Sequence, residues 1–321
     1  MNGPAPSIEI LDPGLFATIQ DLGRRNVAVL GVAPSGAADW LSARAANRLV
    51  GNPHAAALIE TTMTGISFRA LDTLLFAITG ADAQLQIAGA KKSLWQSHRV
   101  RAGIEVKLSA AERGLRSYLA LYGGIDVPMT LGSASTDVTG AFGGLGRALA
   151  RGDKIKLKVA ENEIPEDGHL IRASARPFWR QPATLRALTG PHAGRFAPND
   201  LEFICAQAYR VSPRSNRQGV RLDGRSLARP GGFDVVSCGV CAGCVQVSSD
   251  GLPIILLAEH QTTGGYAVPF TVITADLPDA AQLRPGDEVR FARVTFAEAS
   301  VALGEKMEAL SEALDESRPA G

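Results

Sequence analysis

The chain carries no excess charge of either sign. Thirty-three lysines and arginines stand against 32 aspartates and glutamates, for a net charge of +1 at pH 7. That balance leaves no electrostatic footprint for nucleic acid or an anionic membrane surface. No apolar stretch approaches the ~20 residues of a membrane-spanning helix. The opening Met1-Asn2-Gly3-Pro4-Ala5-Pro6 lacks a basic start followed by an apolar run. A signal peptide is therefore not expected, and the cytoplasm is the expected location. Cysteine is scarce, confined to Cys205, Cys238, Cys241 and Cys244. A large core needs no disulfides and a reducing compartment disfavours them, so free thiols are expected.

Familiar catalytic signatures are missing as well. There is no Walker A sequence, no Gly-x-Gly-x-x-Gly, no His-Glu-x-x-His and no Gly-x-Ser-x-Gly. The histidines His54, His98, His169, His192 and His260 are far apart in sequence. Cys238-x-x-Cys241-x-x-Cys244 has the spacing of a metal or cluster site. A structural site usually takes four ligands, however, and Cys205 is the remaining cysteine. The expectation is no metal, with the three thiols acting as small residues in the strand-rich segment Val235–Val247.

What is present is ordinary globular material. Of 321 residues, 45% are hydrophobic and 20% charged, a length and composition that point to two domains with a substantial core. Short apolar runs alternate with turn residues: Leu74–Ile78, Ser117–Leu121, Ile254–Leu257 and Thr271–Thr274. They read as buried strands, and their spacing predicts barrels or sandwiches rather than βαβ repeats. Helical signals are few. Asp39 is placed to cap a helix over Ala38–Val50, stopped by Gly51. Asn52-Pro53 predicts a short second helix through Ala57. Thr295 and Glu298 form a capping-box pattern before a terminal helix. On that helix Leu303, Met307, Leu310 and Leu314 make one stripe, suited to docking on its own domain or on a partner.

A weak internal repeat is visible. Arg101–Leu108 (RAGIEVKL) matches Arg284–Phe291 (RPGDEVRF), and Thr79–Ala83 echoes Thr189–Ala193. The first pair reads as a turn feeding a strand. Together they predict two related β-rich halves joined by the polar stretch Ala160–Arg176. The expected domains are 1–170 and 171–295, followed by a C-terminal helix and tail, 296–321.

Candidate site residues fall in several places. Ser215, Arg217 and Arg221, taken as one strand, would share a face and offer two guanidiniums to a carboxylate or phosphate. The same spacing also suits a solvated face with structural ion pairs. Gln261-Thr262-Thr263-Gly264-Gly265-Tyr266 follows a buried strand and reads either as a binding loop or as a turn needing positive φ at glycine. Gln20, Asp21 and Arg24 lie in an early loop. Asp39 is most simply a helix cap. Asn47, unusual in a helix body, is placed to hydrogen-bond across the domain interface. Glu60, expected where a helix passes into a strand, would be a general base or a surface acid.

Ordered motifs carry a family resemblance. Thr18-Ile19-Gln20-Asp21-Leu22-Gly23-Arg24 is followed by Gly31–Asp39, Ala46–Asn52, Glu60, Gly65, Tyr122–Pro128 and Leu131-Gly132-Ser133. The second half adds Val211–Leu222, Gln261–Tyr266 and Ala281–Asp287. In this order, over about residues 8 to 295, the chain resembles the family of the 5-oxoprolinase C subunits and the urea amidolyase-related carboxyltransferases. The resemblance implies two cyclophilin-like β-barrel domains, mainly β with a few helices. It implies one component of an ATP-dependent 5-oxoprolinase that opens 5-oxo-L-proline to L-glutamate with partner subunits A and B. With no Walker A motif present, the ATP site is expected on or with a partner.

An alternative implied by the same family is the carboxyltransferase component of a biotin-dependent urea carboxylase. From another class comes a regulatory binding protein of a kinase-control pair. In these terms Glu60, Asp39, Gln261 and Thr262 are the catalytic candidates. Ser215, Arg217, Arg221, Thr263, Tyr266, Gln20, Arg24 and Asn47 are the substrate-binding candidates, and a small molecule is the expected substrate. Departures from the family pattern cluster in the second half. Cys241 and Ser248 stand where relatives typically have Pro, Asn216 where they have Asp, and Glu259-His260 where Asp precedes Arg or a similar residue.

Overall fold

The structure, a computed structural model, describes residues 5–159, 162–177, 181–227 and 232–316. The chain divides into two compact units. Unit 1 takes Met1–Arg24, Ser35–Pro177 and Ala309–Gly321; unit 2 takes Arg25–Pro34 and Phe178–Glu308. The break thus falls between Pro177 and Phe178, later than the expected 170. The reason is local packing. Gln96 and Leu170 form an antiparallel bridge, the Ile171 N–H donates to the Trp95 carbonyl at 2.9 Å, and Ile171 is buried in the core of unit 1. Over its described residues 162–176 the expected linker therefore belongs to unit 1, while 160 and 161 lie outside the described residues.

Unit 1 contains eleven strands among the described residues: β1 Ser7–Asp12, β2 Phe16–Gln20, β3 Leu58–Thr62, β4 Ser67–Ala70, β5 Leu74–Asp82, β6 Leu85–Ile87, β7 Ala90–Lys92, β8 Ser97–Val100, β9 Glu105–Leu108, β10 Arg113–Leu121 and β11 Lys154–Lys156. They make a six-stranded sheet, β11-β1-β4-β9-β6-β7, and a five-stranded sheet, β2-β3-β10-β5-β8. Phe68 of the first sheet meets Phe76 of the second edge to face, with centroids 5.6 Å apart. Burying each ring contributes roughly 1.5–3 kcal/mol. The helix α1, Trp40–Leu49, packs on β5 and β10. With apolar neighbours on both faces, β5 is buried from Leu74 to Ala81, which explains its unbroken apolar run.

Unit 2 contains β12 Ala183–Thr189, β13 Tyr209–Val211, β14 Gly219–Asp223, β15 Asp234–Gly239, β16 Cys244–Val247, β17 Pro253–Leu256, β18 Thr263–Val272 and β19 Glu288–Arg293. The sheet order is β12-β19-β13-β14-β17-β16-β18-β15, and β12 also pairs with β18. That extra pairing closes seven strands into a barrel, with β15 attached outside the ring on β18. Tyr209, Phe270 and Phe291 fill its core. Beyond α1, the described α-helices are α2 Pro198–Ala206, α3 Leu277–Ala281 and α4 Phe296–Asp315, the last lying in unit 2 up to Glu308 and in unit 1 from Ala309.

Two helix expectations differ in outcome. Asp39 caps α1, accepting from the Ser42 N–H at 2.9 Å, and Gly51 follows the helix at φ +80. No second helix forms at Pro53. A single turn closes there, Ala56 N–H to the Pro53 carbonyl at 3.0 Å. Asn52 instead donates to the Leu121 carbonyl and accepts from the Gly123 N–H, at 2.8 and 2.9 Å. The Thr295–Glu298 capping box is formed at the start of α4. Leu303 packs against apolar residues of unit 2, whereas Leu310 and Leu314 belong to the core of unit 1. The stripe is thus used within the chain, except that Met307 is 37% exposed.

The repeat reads through to geometry. In both copies a turn closes from an arginine carbonyl, Arg101 to the Ile104 N–H at 3.3 Å and Arg284 to the Asp287 N–H at 3.0 Å. Gly103 (φ +86) and Gly286 (φ +93) occupy the left-handed position. The strands that follow bury Val106 and Leu108 in one unit, and Val289 and Phe291 in the other.

Candidate functional site

The site residues expected from the sequence fall into two groups, one in each unit. In unit 1 the polar groups are internal. Gln20 ends β2 rather than lying in a loop, and it is fully buried. Its amide donates to Thr18 and to the Thr136 carbonyl and accepts from the Gly36 N–H. Asp21 accepts from four donors: the Gly23 and Ala134 N–H groups at 2.7 Å each, Ser133 Oγ at 2.5 Å and Ser135 Oγ at 2.6 Å. Arg24 donates to the Thr130 and Ser135 carbonyls and lies 4.6 Å from the centroid of the Phe142 ring.

Glu60 is in the middle of β3, with no helix before it, and is 1% exposed. It is neither a surface acid nor an open base. One oxygen accepts from the Ala38 N–H at 2.9 Å, and the other faces Arg116 Nε at 3.5 Å in a fully buried ion pair. The Tyr118 hydroxyl accepts from the Asp39 N–H at 2.8 Å. Burial, followed by the charge of Glu60, pushes that hydroxyl well above its ordinary range. Both Asp39 carboxylate oxygens are taken by Ser42. Asn47 donates to the Ala56 carbonyl at 2.9 Å and accepts from Asn52, so its bonds hold residues 52–56 and stay inside unit 1.

In unit 2 the expected shared face of Ser215, Arg217 and Arg221 does not form. Ser215 and Arg217 lie between β13 and β14, and Arg221 alone is on a strand. Ser215 Oγ accepts from the Arg221 N–H at 3.0 Å, which tightens the turn, while the Arg221 side chain is exposed. Arg217 is buried and donates from Nε to Glu259 at 2.8 Å, with side-chain exposures of 5% and 9%. A desolvated cation here needs its carboxylate. The Glu259 N–H also donates to the Arg217 carbonyl.

The segment Gln261–Tyr266 is loop and strand, not loop alone. Gln261 and Thr262 precede β18, and Thr263 and Tyr266 lie on it, paired with Gly239 and Asp234. Gly264 does not need positive φ. Its value is close approach, because a Cβ there would sit 2.3 Å from the Gln246 amide nitrogen. Gln246, on β16 and 2% exposed, accepts from exposed Gln261 at 3.0 Å. Its own amide nitrogen is buried without a hydrogen-bond partner among the described residues. A buried unsatisfied donor costs roughly 1–3 kcal/mol, a cost that a carbonyl acceptor would remove. His260 is buried, with Nδ1 2.6 Å from the Gln261 carbonyl. Desolvation lowers its basicity, opposed by that carbonyl.

Unit 2 therefore brings Gln246 against Gln261, with Thr262 and Thr263 next along the chain and the Arg217–Glu259 pair just before them. Sequence reading missed Gln246, Arg116 and Tyr118. Each is a polar residue inside an apolar strand run, a signal that locates burial but names no partner.

These features define a class: a mainly β protein of two units, each with an apolar core that encloses buried charged or amide groups. The chain belongs to the family of the carboxyltransferase domain, subdomain A and B, whose model matches residues 30–293. It is 34% identical over 295 residues to the C subunit of 5-oxoprolinase from Escherichia coli (strain K12), covering 91% of this chain and 93% of that one. It is 33% identical to urea amidolyase of Saccharomyces cerevisiae over 96% of this chain, but spans 18% of that much longer protein. Among solved structures, the Kluyveromyces lactis urea carboxylase superposes with a TM-score of 0.89 at 27% identity, covering all of this chain and 30% of that one.

Proposed function

We propose that this chain is one component of an ATP-dependent 5-oxoprolinase that opens 5-oxo-L-proline to L-glutamate with partner subunits of types A and B. The observation that carries the reading is end-to-end coverage: the chain spans 93% of a 5-oxoprolinase C subunit. A lactam carbonyl is a poor electrophile, so opening it benefits from a donor aimed at the developing oxyanion. That role is assigned to the amide nitrogen of Gln246, which is buried and has no hydrogen-bond partner among the described residues, so a substrate would reach it only if the Gln261 side chain bonded to Gln246 moves. Gln261, Thr262, Thr263 and Tyr266 are the proposed contacts around it. Asp39 and Glu60 are assigned to scaffolding, since their oxygens are engaged within unit 1.

Among the described residues, the buried arginines are already engaged within the chain. Arg24 is on backbone carbonyls, Arg116 faces Glu60 and Arg217 faces Glu259. The nucleotide is therefore assigned to a partner. The test is reconstitution with subunits A and B, measuring glutamate and ADP. Glutamate formation that needs all three subunits, ATP and 5-oxoproline supports the reading. A complex that turns over without this chain refutes it.

A second reading is carboxyl transfer to urea in a biotin-dependent system, favoured by the name of the family and by the urea amidolyase match. Biotin would bring the carboxyl group from another component. The Gln246 donor suits the carbonyl of a ureido ring as well as that of a lactam, so it does not separate the two. Urea-dependent bicarbonate consumption with a biotin carboxylase partner, and no glutamate with subunits A and B, would select this reading.

A further inference from the structure

We propose that Cys241 and Cys244 are a redox dithiol, converted reversibly to an intrachain disulfide by low-molecular-weight disulfides. The inference stands apart from the functional reading and survives its failure.

The geometry is built by a turn. Cys241-Ala242-Gly243-Cys244 joins β15 to β16, and the Cys244 N–H donates back to the Cys241 carbonyl at 3.1 Å. Such a turn brings its end Cα atoms within about 7 Å, close to the span that a disulfide bridges. Gly243 sits at φ +90, and a Cβ there would meet the Val272 carbonyl oxygen at 2.6 Å, so glycine is required. The turn is fixed to the barrel on both sides. The Gly243 N–H donates to the Leu256 carbonyl at 2.8 Å, and its carbonyl accepts from the Val272 N–H at 2.8 Å. On this fixed frame the two Sγ atoms lie 3.6 Å apart. Side-chain rotation alone then has to close the bond.

The two sulfurs differ in access and in charge. Cys241 is exposed and Cys244 buried. Cys244 Sγ receives the Cys241 thiol and the Cys241 N–H, the latter at 3.5 Å. Those hydrogen bonds, led by the thiol, lower Cys244 below its ordinary value against the opposing effect of burial, and the same thiol contact raises Cys241, which holds the proton. The thiolate is the reactive form. Cys205, in contrast, is half-buried in α2 and pushed up by desolvation. Among the described residues no set of three His, Cys, Asp or Glu side chains is arranged to hold a metal.

The chemistry balances with one disulfide, RSSR, as oxidant. As the shared proton passes to Cys244, Cys241 Sγ attacks RSSR. A Cys241–SR bond forms, and the first RS⁻ leaves and takes a proton from water. Cys244 then releases its proton and attacks Cys241 Sγ, expelling the second thiolate. From the pair sharing one proton, the protein loses two electrons and that proton, water supplies the second proton, and RSSR becomes two RSH. Cys244 opens β16, the strand that carries Gln246.

The experiment equilibrates the full chain with glutathione disulfide, alkylates the remaining thiols, and reads intact mass and peptides. The expected result is loss of two alkylatable thiols, a linked Cys241–Cys244 peptide, and full reversal by dithiothreitol. Cys244→Ser should trap a stable glutathione adduct on Cys241, and Cys241→Ser should yield no adduct on Cys244. Retention of all four alkylatable thiols in the wild-type protein overturns the proposal. So does oxidation that consumes Cys205 or Cys238 in place of this pair.

Discussion

Arg217 and Arg221 show how much one residue's surroundings decide. Both are arginines in one motif, yet one is buried against Glu259 and the other is exposed. Removing one member of a buried pair costs about 3–5 kcal/mol, because the partner charge is left unpaired. Arg217→Ala should therefore lower stability by that amount in denaturant unfolding, and Arg217→Met/Glu259→Leu should be clearly milder than the single change. Arg221→Ala should shift stability by no more than about 0.5 kcal/mol. A stable Arg217→Ala protein would remove the pair from the structural account.

Histidine gives a pH test at the same scale. Burial lowers both His98 and His260 below the ordinary value of 6.5. Below pH 6.5 the unfolded chain takes up protons that the folded chain refuses, so stability falls as pH drops. It stops falling from this cause once the folded histidines also protonate. The melting temperature should decline on acidification from pH 7, and less steeply in His98→Gln and His260→Gln. Equal slopes in wild type and variants would refute the assignment.

At the scale of the element, α1 shows a cap serving a helix that lies on the central strands of unit 1. Loss of an N-cap side chain costs about 0.5–2 kcal/mol. Asp39→Ala should lose that much in urea unfolding, and Asp39→Ser should retain most of it. The substitution also separates scaffold from chemistry. If Asp39 is a cap, Asp39→Ser should keep turnover in the reconstituted complex near wild type. Normal stability with abolished turnover would return Asp39 to the catalytic group.

For the whole molecule, the proposed role makes activity a property of the complex. The isolated chain is expected to hydrolyse neither ATP nor 5-oxoproline at a useful rate, and turnover should appear on adding subunits A and B. Robust turnover by the purified chain alone would contradict this. Cys238→Ala, Cys241→Ala and Cys244→Ala should leave the turnover of the reduced complex nearly unchanged. A large loss would place a thiol in the chemistry.

The sequence by itself determined the local devices: the Asp39 cap, the Thr295–Glu298 box, the strands at 74–78 and 117–121, and the paired turns at Gly103 and Gly286. Each depends on residues within a few positions of one another, so spacing suffices to read it. It also determined the mainly β class and, through ordered motifs, the family. Tertiary structure alone decided what the polar residues do. Asp21 meets Ser133 across 112 positions, Glu60 meets Arg116 through the pairing of β3 with β10, and Gln246 meets Gln261 where β16 lies beside β18. A charge or amide inside an apolar run needs a partner, because burial without one is costly. The identity of that partner is set by strand register between distant segments, and spacing along the chain does not encode that register.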